Sequence, residues 1–440
     1  MPMNSDGAAL KTSSKSWWLL SLILFILFFP SVRIAGKIPL RPDDLMVFGS
    51  GAILLARYLF RFRLPAVDAI FLWLAADASA ILLSTVVAQM TMSASIGVKE
   101  YLDVMRPIKY LIVYLIVRDM DFLSAFHTFK RVFSASAFYL LAIAVIELIV
   151  ARTSFGGPAL EHLFTPFTFL PPQAAIQMMA VRPFATFNTP TDLGYLAVIG
   201  LFMVPLLNTK VRRYGTACAC FALLLLTATR TFLFSLPLIM MVYAALAARS
   251  FQDGIRSLIR VGSLALVAGL AAVVLLPIMS PVAAKFTHST VTAIASGNTS
   301  NQDSINDRLN NLELVVITLN QAPILGVATR SYLPPFVDSE IIVTFHRYGI
   351  VGFALWLIFF PLGLFAVRKL KNGDTRLLGF LGALLFATFL YGITQGALDN
   401  TRIGPLIFIA LAIGARRAKD LTKQRKALTL ATSSHHAMTS

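Results

Sequence analysis

Arginines near the ends of apolar segments are the residues of this sequence best suited to hold an anion. They are Arg182, Arg230, Arg308, Arg330, Arg347 and Arg402. A guanidinium presents a rigid fork of donors that matches phosphate oxygens, so these arginines are suited to bind a diphosphate. Arg308 flanks an apolar stripe, which favours a position at headgroup depth. The alternative for each arginine is a snorkelling side chain or a structural ion pair.

Two carboxylates follow the turn-forming sequence Leu333-Pro334-Pro335-Phe336. Asp338, Ser339 and Glu340 precede a strongly apolar segment, where carboxylates are costly unless they are exposed, paired or functional. Such a carboxylate suits a general base that accepts a proton from a sugar hydroxyl. The alternative is that two acids at a helix N-terminus only favour the helix dipole.

Other titratable residues allow both a chemical and a structural interpretation. His346 suits a base or a hydrogen-bond donor, and its alternative is a packed core residue. Glu147, near the end of another apolar segment, is ambiguous in the same way. Asp68 and Asp77 lie in the third apolar segment, so the sequence does not exclude a proton-coupled carrier. The alternative for Asp77 is an ion pair with a basic neighbour.

Several classes of site are missing from the sequence. It contains no Walker or dinucleotide-binding loop and no His, Cys and Asp pattern with metal-ligand spacing. Cys218 and Cys220 lie two apart in an apolar helix and therefore project to different sides. These features argue against an ATP-driven pump and a metalloenzyme, and we expect neither a cofactor nor a metal.

The composition is that of a membrane protein. Of 440 residues, 57% are hydrophobic and 13% are charged, and the mean hydropathy is +0.75; soluble domains carry about 25% charged residues. The net charge of +17 comes from short basic clusters between apolar runs rather than from one basic face. We therefore expect an all-α bundle in a membrane and no binding of nucleic acid.

Apolar runs of about 20 residues predict roughly a dozen transmembrane helices. The first run follows a short tail with Lys11 and Lys15 and lacks a small-residue cleavage site, so we expect it to be retained. The predicted spans lie near 17–35, 44–61, 66–90, 103–119, 131–151, 191–208, 214–229, 231–248, 260–280, 337–366, 376–395 and 402–416.

The distribution of Lys and Arg predicts the orientation. Every second connection is basic, as the positive-inside rule requires if both termini are cytoplasmic. This gives a cytoplasmic N-terminal tail at 1–16, a transmembrane bundle at 17–427 and a disordered cytoplasmic tail at 428–440. The arginines listed above then lie on the outer side, where this rule disfavours them.

Two long outer connections, about 152–190 and 281–336, are the expected site of function. In the second, Ser304 and Asp307 resemble a capping box and predict a helix start. An apolar stripe then predicts an amphipathic helix at the membrane interface or against the bundle; its members are Ile305, Leu309, Leu312, Val316 and Leu319.

With these residues in view, the chain resembles the O-antigen polymerase and O-antigen ligase family of membrane glycosyltransferases. Three segments carry the likeness: Arg182-Pro-Phe-Ala-Thr-Phe-Asn188-Thr-Pro190-Thr-Asp-Leu-Gly194, then Leu226-Thr-Ala-Thr-Arg230, and finally Arg308 with its helix, Pro323-Ile-Leu-Gly326, Asp338-Ser-Glu340 and Tyr348-Gly349-Ile-Val-Gly352. They span roughly residues 180–365.

The resemblance implies a glycosyltransferase of the bacterial inner membrane that needs no metal and uses a polyprenyl-diphosphate-linked oligosaccharide as donor. It implies that Arg182, Arg230 and Arg308 bind the diphosphate and that Asp338, with Glu340 in reserve, is the base. Asn188, Arg330 and His346 are further candidate substrate contacts. Membrane lipid and a chain-length regulator protein are the other expected partners.

One departure from the family pattern favours a polymerase of surface-polysaccharide repeat units. Ligases of the family usually carry His eleven residues before the first Gly of the Gly-x-x-Gly pair, and Asp338 occupies that position relative to Gly349. A ligase that moves finished glycan to lipid A core or protein remains the alternative. A flippase for the same lipid-linked sugar is the rival from another class, although the spans contain few midplane charges.

Overall fold

The chain folds into helices that pack side by side. The structure is a computed structural model that describes residues 14–29, 32–34, 38–61, 67–91, 97–153, 182–187, 189–227, 229–250, 252–256, 315–318, 320–328 and 339–439, with the single residues 179, 259, 263 and 313. Its numbered helices are α1 (Ser14–Phe28), α2 (Pro42–Arg61), α3 (Ala69–Thr91), α4 (Val98–Leu102), α5 (Met105–Arg118), α6 (Phe122–Arg152), α7 (Pro190–Met203), α8 (Lys210–Thr227), α9 (Arg230–Ala247), α10 (Glu340–Val367), α11 (Thr375–Thr394) and α12 (Ile403–Thr439).

Four stretches of helix are long and apolar enough to cross a membrane. They are Ala69–Thr91, Phe122–Ala151, Glu340–Asn372 and Thr375–Thr394, and the third includes the 3-10 turn Arg368–Asn372 after α10. Shorter apolar helices lie at Lys15–Phe28, Pro190–Leu206 and Thr231–Ala247. The predicted helical membrane architecture is therefore supported, whereas the number of crossings stays a prediction. The expected span at 260–280 lies outside the described residues, apart from Ser263.

Helix α11 is the centre of the packing, with most of its side chains buried against α7, α9, α10 and α12. Stacked rings of Tyr195 and Tyr391, with centroids 4.8 Å apart, join α7 to α11. A second aromatic cluster joins α3, α5, α10 and α12. Its Tyr110 and Phe408 rings have centroids 5.1 Å apart, and those of Trp73 and Phe359 are 4.6 Å apart.

Two chain-end predictions were wrong. The first span ends at Phe28, and an antiparallel hairpin follows, with β1 (Val32–Ile34) paired to β2 (Ile38–Leu40). Pro30 stops the helix, and the β-branched residues after it suit strands. At the other end, 428–439 is helical as part of α12 rather than disordered. No Gly or Pro follows Gly414, and Ala, Leu, Lys and Arg favour a helix.

Helix α10 is interrupted at Gly349, where φ is 61° and ψ is −156°. The segment 323–328 lies against the break, and Val327 N donates to His346 O and Ile350 N to Pro323 O, both at 2.9 Å. A Cβ on Gly349 would lie 2.4 Å from Ile324 O. Only glycine combines this backbone conformation with so close a crossing.

The predicted amphipathic helix is described only near its end. Glu313, residues 315–318 and residues 320–321 are helical, which agrees with the prediction there. Ser304, Asp307 and the first part of the apolar stripe lie outside the described residues.

One end of the bundle, which we call the polar end, is defined by Glu147, Arg182, Asp192, Glu340 and Arg402, all buried except the half-buried Arg182. It contains the first turns of α7, α10 and α12 and the last turns of α8 and α11. The opposite end holds Lys15 at the start of α1 and Asp119 after α5.

Candidate functional site

The Arg182 side chain lies at the C-terminal end of α8. Its Nε donates to Thr227 O at 2.6 Å. The Thr229 hydroxyl lies 3.1 Å from that of Thr227 and 3.5 Å from Pro190 O. The start of α7, the end of α8 and the start of α9 thus meet at Arg182.

A buried carboxylate holds the loop that carries Arg182. Glu147 is 0% exposed, and its Oε2 accepts hydrogen bonds from Phe184 N at 3.1 Å and Ala185 N at 2.8 Å. Ala185 has a φ of +48°, which is uncommon for a residue with a Cβ. Thr186 adds a hydrogen bond from its hydroxyl to Leu27 O. Glu147 therefore fixes the backbone that follows Arg182.

Several predicted site residues cannot be placed. Arg230 begins α9, but its side chain is outside the described part of the chain. The residues Asn188, Arg308, Arg330 and Asp338 also lie outside the described residues. Their predicted roles stay predictions.

Glu340 is an anchor for the loop after α11. Its Oε2 accepts from Ala397 N at 3.0 Å, its Oε1 accepts from Asp399 N at 2.8 Å, and its own backbone N–H donates to Gln395 O at 3.2 Å. Both carboxylate oxygens are thus engaged by backbone donors that stabilise the charged form. This geometry favours the structural interpretation of Glu340 over that of a reserve base.

His346 is buried in the first half of α10, with its Nδ1 2.7 Å from the Thr318 hydroxyl. Its Nε2 is buried and has no hydrogen-bond partner among the described residues. The contact ties the predicted amphipathic helix to α10. It gives His346 a packing role, and its predicted contact with substrate is untested.

Arg347 and Arg106 form ion pairs whose acidic partners the sequence did not identify. Arg347 Nη2 pairs with Asp103, and its Nε donates to Ala328 O at 3.1 Å. The Arg106 side chain pairs with that of Asp399, and the backbone N–H of Asp399 also donates to Glu340 Oε1. For Arg347, the structural ion pair is the interpretation that the structure supports.

Arg402 joins three elements of the polar end. It is 2% exposed, its Nη2 donates to Phe29 O at 3.2 Å, and its guanidinium carbon lies 5.9 Å from the Phe187 ring centroid. It therefore links α12 to the end of α1 and to the Arg182 loop. A second buried cluster lies at the start of α2, where Lys109 Nζ is 2.5 Å from carboxylate oxygens of both Asp43 and Asp44.

A polar network around Asp192 was also missed, although Asp192 lies within a recognised motif. Its Oδ1 accepts from the Tyr391 hydroxyl and, at 2.9 Å, from Asn400 Nδ2. Tyr391 lies 3.1 Å from Gln395 Oε1, which also contacts the Thr189 hydroxyl at 3.3 Å. The sequence signal for this network is an acidic residue in the first turn of an apolar helix. A carboxylate there is energetically costly unless it is exposed, paired or functional.

The polar end thus holds Arg182 and Arg402 near buried carboxylates that accept hydrogen bonds from the surrounding loops and helices. Such an arrangement suits the binding of an anion, because preorganised donors need no rearrangement when charge develops on a ligand. Among the described residues, no three His, Cys, Asp or Glu side chains are grouped as metal ligands would be.

Comparison with protein-family models finds no match for this chain, and comparison with curated proteins finds no similar sequence.

Proposed function

We propose that the protein polymerises polyprenyl-diphosphate-linked oligosaccharide repeat units of a surface polysaccharide. The observation that carries the proposal is the contact of Arg182 with the segment that ends in Arg230. Two arginine-bearing segments, far apart in sequence, meet at one end of an apolar bundle. In this proposal, Arg182 and Arg230 each offer a guanidinium group to the oxygens of one diphosphate.

The proposed reaction is a glycosyl transfer. The bond from the anomeric carbon to the diphosphate breaks, a bond to an acceptor hydroxyl forms, and the hydroxyl proton passes to a base. The electron pair leaves with the diphosphate, so cationic donors lower the barrier by stabilising the leaving group. Asp338 is the proposed base, because both oxygens of Glu340 already accept backbone hydrogen bonds.

We place the polar end at the outer face of a bacterial inner membrane, with about twelve crossings and both termini in the cytoplasm. The alternation of basic connections supports this orientation. The lipid-linked donor then reaches Arg182, Arg230 and Arg308 from the outer leaflet. A chain-length regulator is the proposed protein partner.

Replacing Arg182 with Ala tests the proposal in the source bacterium. We expect long-chain polysaccharide to disappear and single lipid-linked repeat units to accumulate, at an unchanged level of the protein in the membrane. Arg182→Lys is expected to restore only part of the activity, because an ammonium lacks the forked donor geometry. The measurement is the size distribution of the polysaccharide and of the lipid-linked pool.

Arg213→Ala is the matched control. Arg213 also donates its Nε to a backbone carbonyl, Leu207 O, at 2.6 Å, but it lies near the other end of α8. This variant should make normal polysaccharide. Normal chain lengths in Arg182→Ala would contradict the proposal, and long unattached chains in a deletion strain would indicate a ligase instead.

A further inference from the structure

A groove of about 280 Å³ lies between α1, α2 and α5 at the end of the bundle opposite the polar end. Its mouth carries Lys15, Arg57 and Asp119, and its wall includes Ile53, Leu54 and Ile116. Charged residues thus stand at one end of an apolar surface. This is the pattern of a phospholipid, with a charged headgroup on a hydrocarbon chain.

The three charges at the mouth are accessible to a ligand. Lys15, Arg57 and Asp119 are all exposed. The Lys15 ammonium contacts Asp119 O at 3.4 Å, and the Tyr58 hydroxyl contacts Asp119 Oδ2 at 3.4 Å. Contacts of this length are weak hydrogen bonds. The Lys15 ammonium and the Asp119 carboxylate can therefore still form stronger hydrogen bonds with a ligand.

The wall of the groove is apolar and faces away from the bundle. Ile53 is 73% exposed, and Leu54 and Ile116 are partly exposed beside it. The Trp18 indole borders the groove and is fixed by a 2.8 Å hydrogen bond from Nε1 to the Ser50 hydroxyl. Tryptophan is typical of the membrane interface, and a hydrocarbon chain attached to a headgroup at the mouth would lie along the aliphatic wall.

We propose that this groove is a binding site for a phospholipid with an ethanolamine headgroup. The phosphate binds between Lys15 and Arg57, the primary ammonium binds Asp119, and one acyl chain lies along Ile53 and Ile116. Lys15 and Arg57 offer the phosphate two cationic donors, and Asp119 offers the ammonium a carboxylate acceptor. A choline group cannot donate hydrogen bonds to Asp119, and a glycerol headgroup has no cation to meet it. The site is independent of the proposed glycosyl transfer.

Native mass spectrometry of the purified full-length protein tests the site, with ethanolamine, choline and glycerol phospholipids of identical acyl chains. We expect the ethanolamine lipid to bind about threefold more tightly than the other two, as an exposed ion pair allows. Lys15→Gln with Arg57→Gln should weaken its binding by about tenfold. Asp119→Asn should remove the preference over the glycerol lipid while leaving phosphate-dependent binding.

The matched control is Lys423→Gln with Arg425→Gln, which removes the same charge from the exposed surface of α12. It should bind lipid as the unchanged protein does. Inorganic phosphate should not displace the lipid, since it cannot occupy the apolar wall; displacement would assign the site to free phosphate. Equal binding of all three lipids, or unchanged binding in the Lys15 and Arg57 variant, would overturn the proposal. Asp119→Asn tests it independently if that double variant fails to fold.

Discussion

Buried carboxylates at the polar end accept hydrogen bonds from backbone or side-chain donors of neighbouring elements. Glu147 binds two N–H groups of the Arg182 loop, and Glu340 binds two in the loop after α11. Asp192 accepts side-chain donors from Tyr391 and Asn400. A charged acceptor strengthens such bonds, and removal of the acceptor leaves buried donors without a partner. The position of Arg182 therefore depends on Glu147.

Glu147→Ala is predicted to lower polysaccharide synthesis nearly as far as Arg182→Ala does. Loss of the carboxylate leaves the N–H groups of Phe184 and Ala185 unsatisfied, at a cost of about 1–3 kcal/mol each, and frees the loop that carries Arg182. Glu147→Gln, which keeps an acceptor, should retain part of the synthesis. The measurement is polysaccharide yield at matched protein level in both single variants and in the double variant.

If Glu147 acts through Arg182, the double variant is no worse than Arg182→Ala alone. Additive losses in the double variant would refute this dependence. Asp121→Ala is the control, because Asp121 caps the other end of the same helix by accepting from Ser124 N at 3.0 Å. It should leave synthesis intact.

At the level of single residues, the sequence indicates which side chains are costly but not what they bind. Glu147 and Glu340 stand out in the sequence as acids in apolar surroundings. For Glu340, the sequence allows both a catalytic base and a residue that favours the helix dipole. Its actual partners, Ala397 and Asp399, belong to a distant loop that only the tertiary fold brings close. The Arg106 pair with Asp399 was unpredictable for the same reason.

At the level of elements, the broken helix α10 is the most specific feature of the bundle. Four backbone hydrogen bonds between 323–328 and the residues around Gly349 replace those lost at the break. The Ser84 hydroxyl reinforces the crossing by donating to Arg347 O at 2.8 Å. Irregular backbone in a membrane protein must be satisfied in this way by its neighbours.

Gly349→Ala is predicted to destabilise the fold by more than about 2 kcal/mol. The added Cβ would meet Ile324 O at 2.4 Å, and alanine is strained at this φ and ψ. Thermal unfolding of the purified protein in detergent measures the effect. We expect a clear decrease in the unfolding temperature or a loss of folded protein.

Gly49→Ala is the control for this substitution. Gly49 lies in α2, and a Cβ there would meet no atom within 4 Å. Its replacement should be neutral or slightly stabilising, because alanine favours a helix over glycine. Unfolding of Gly349→Ala at the same temperature as Gly49→Ala would show that the crossing is not required.

Hydropathy predicts helices well and their interruptions poorly. The apolar runs predict α2, α3, α9 and α11 to within a few residues, because each helix is apolar along most of its length. The same signal reads 337–366 as one continuous helix, since Gly349 is compatible with both conformations. It also extends the first predicted span into β1, because Val32 and Ile34 prolong the apolar run of α1.

The whole molecule has two chemically different ends. The polar end fixes Arg182 and Arg402 through backbone contacts, whereas the opposite end exposes Lys15, Arg57 and basic residues of α12. Exposed cations suit an anionic membrane surface, whereas cations held in place by hydrogen bonds suit a specific anionic ligand. The proposal assigns the anionic lipid-linked donor to the end that holds Arg182 and Arg402.

Reconstitution of the purified protein into lipid vesicles tests the proposed polymerase most directly. The vesicles carry a polyprenyl-diphosphate-linked oligosaccharide repeat unit from the source bacterium and contain no nucleotide sugar. We predict a ladder of lipid-linked products that grows by whole repeat units with the unchanged protein and is absent with Arg182→Ala. Movement of the donor across the bilayer without any lengthening of the glycan would contradict the assignment and identify a transporter.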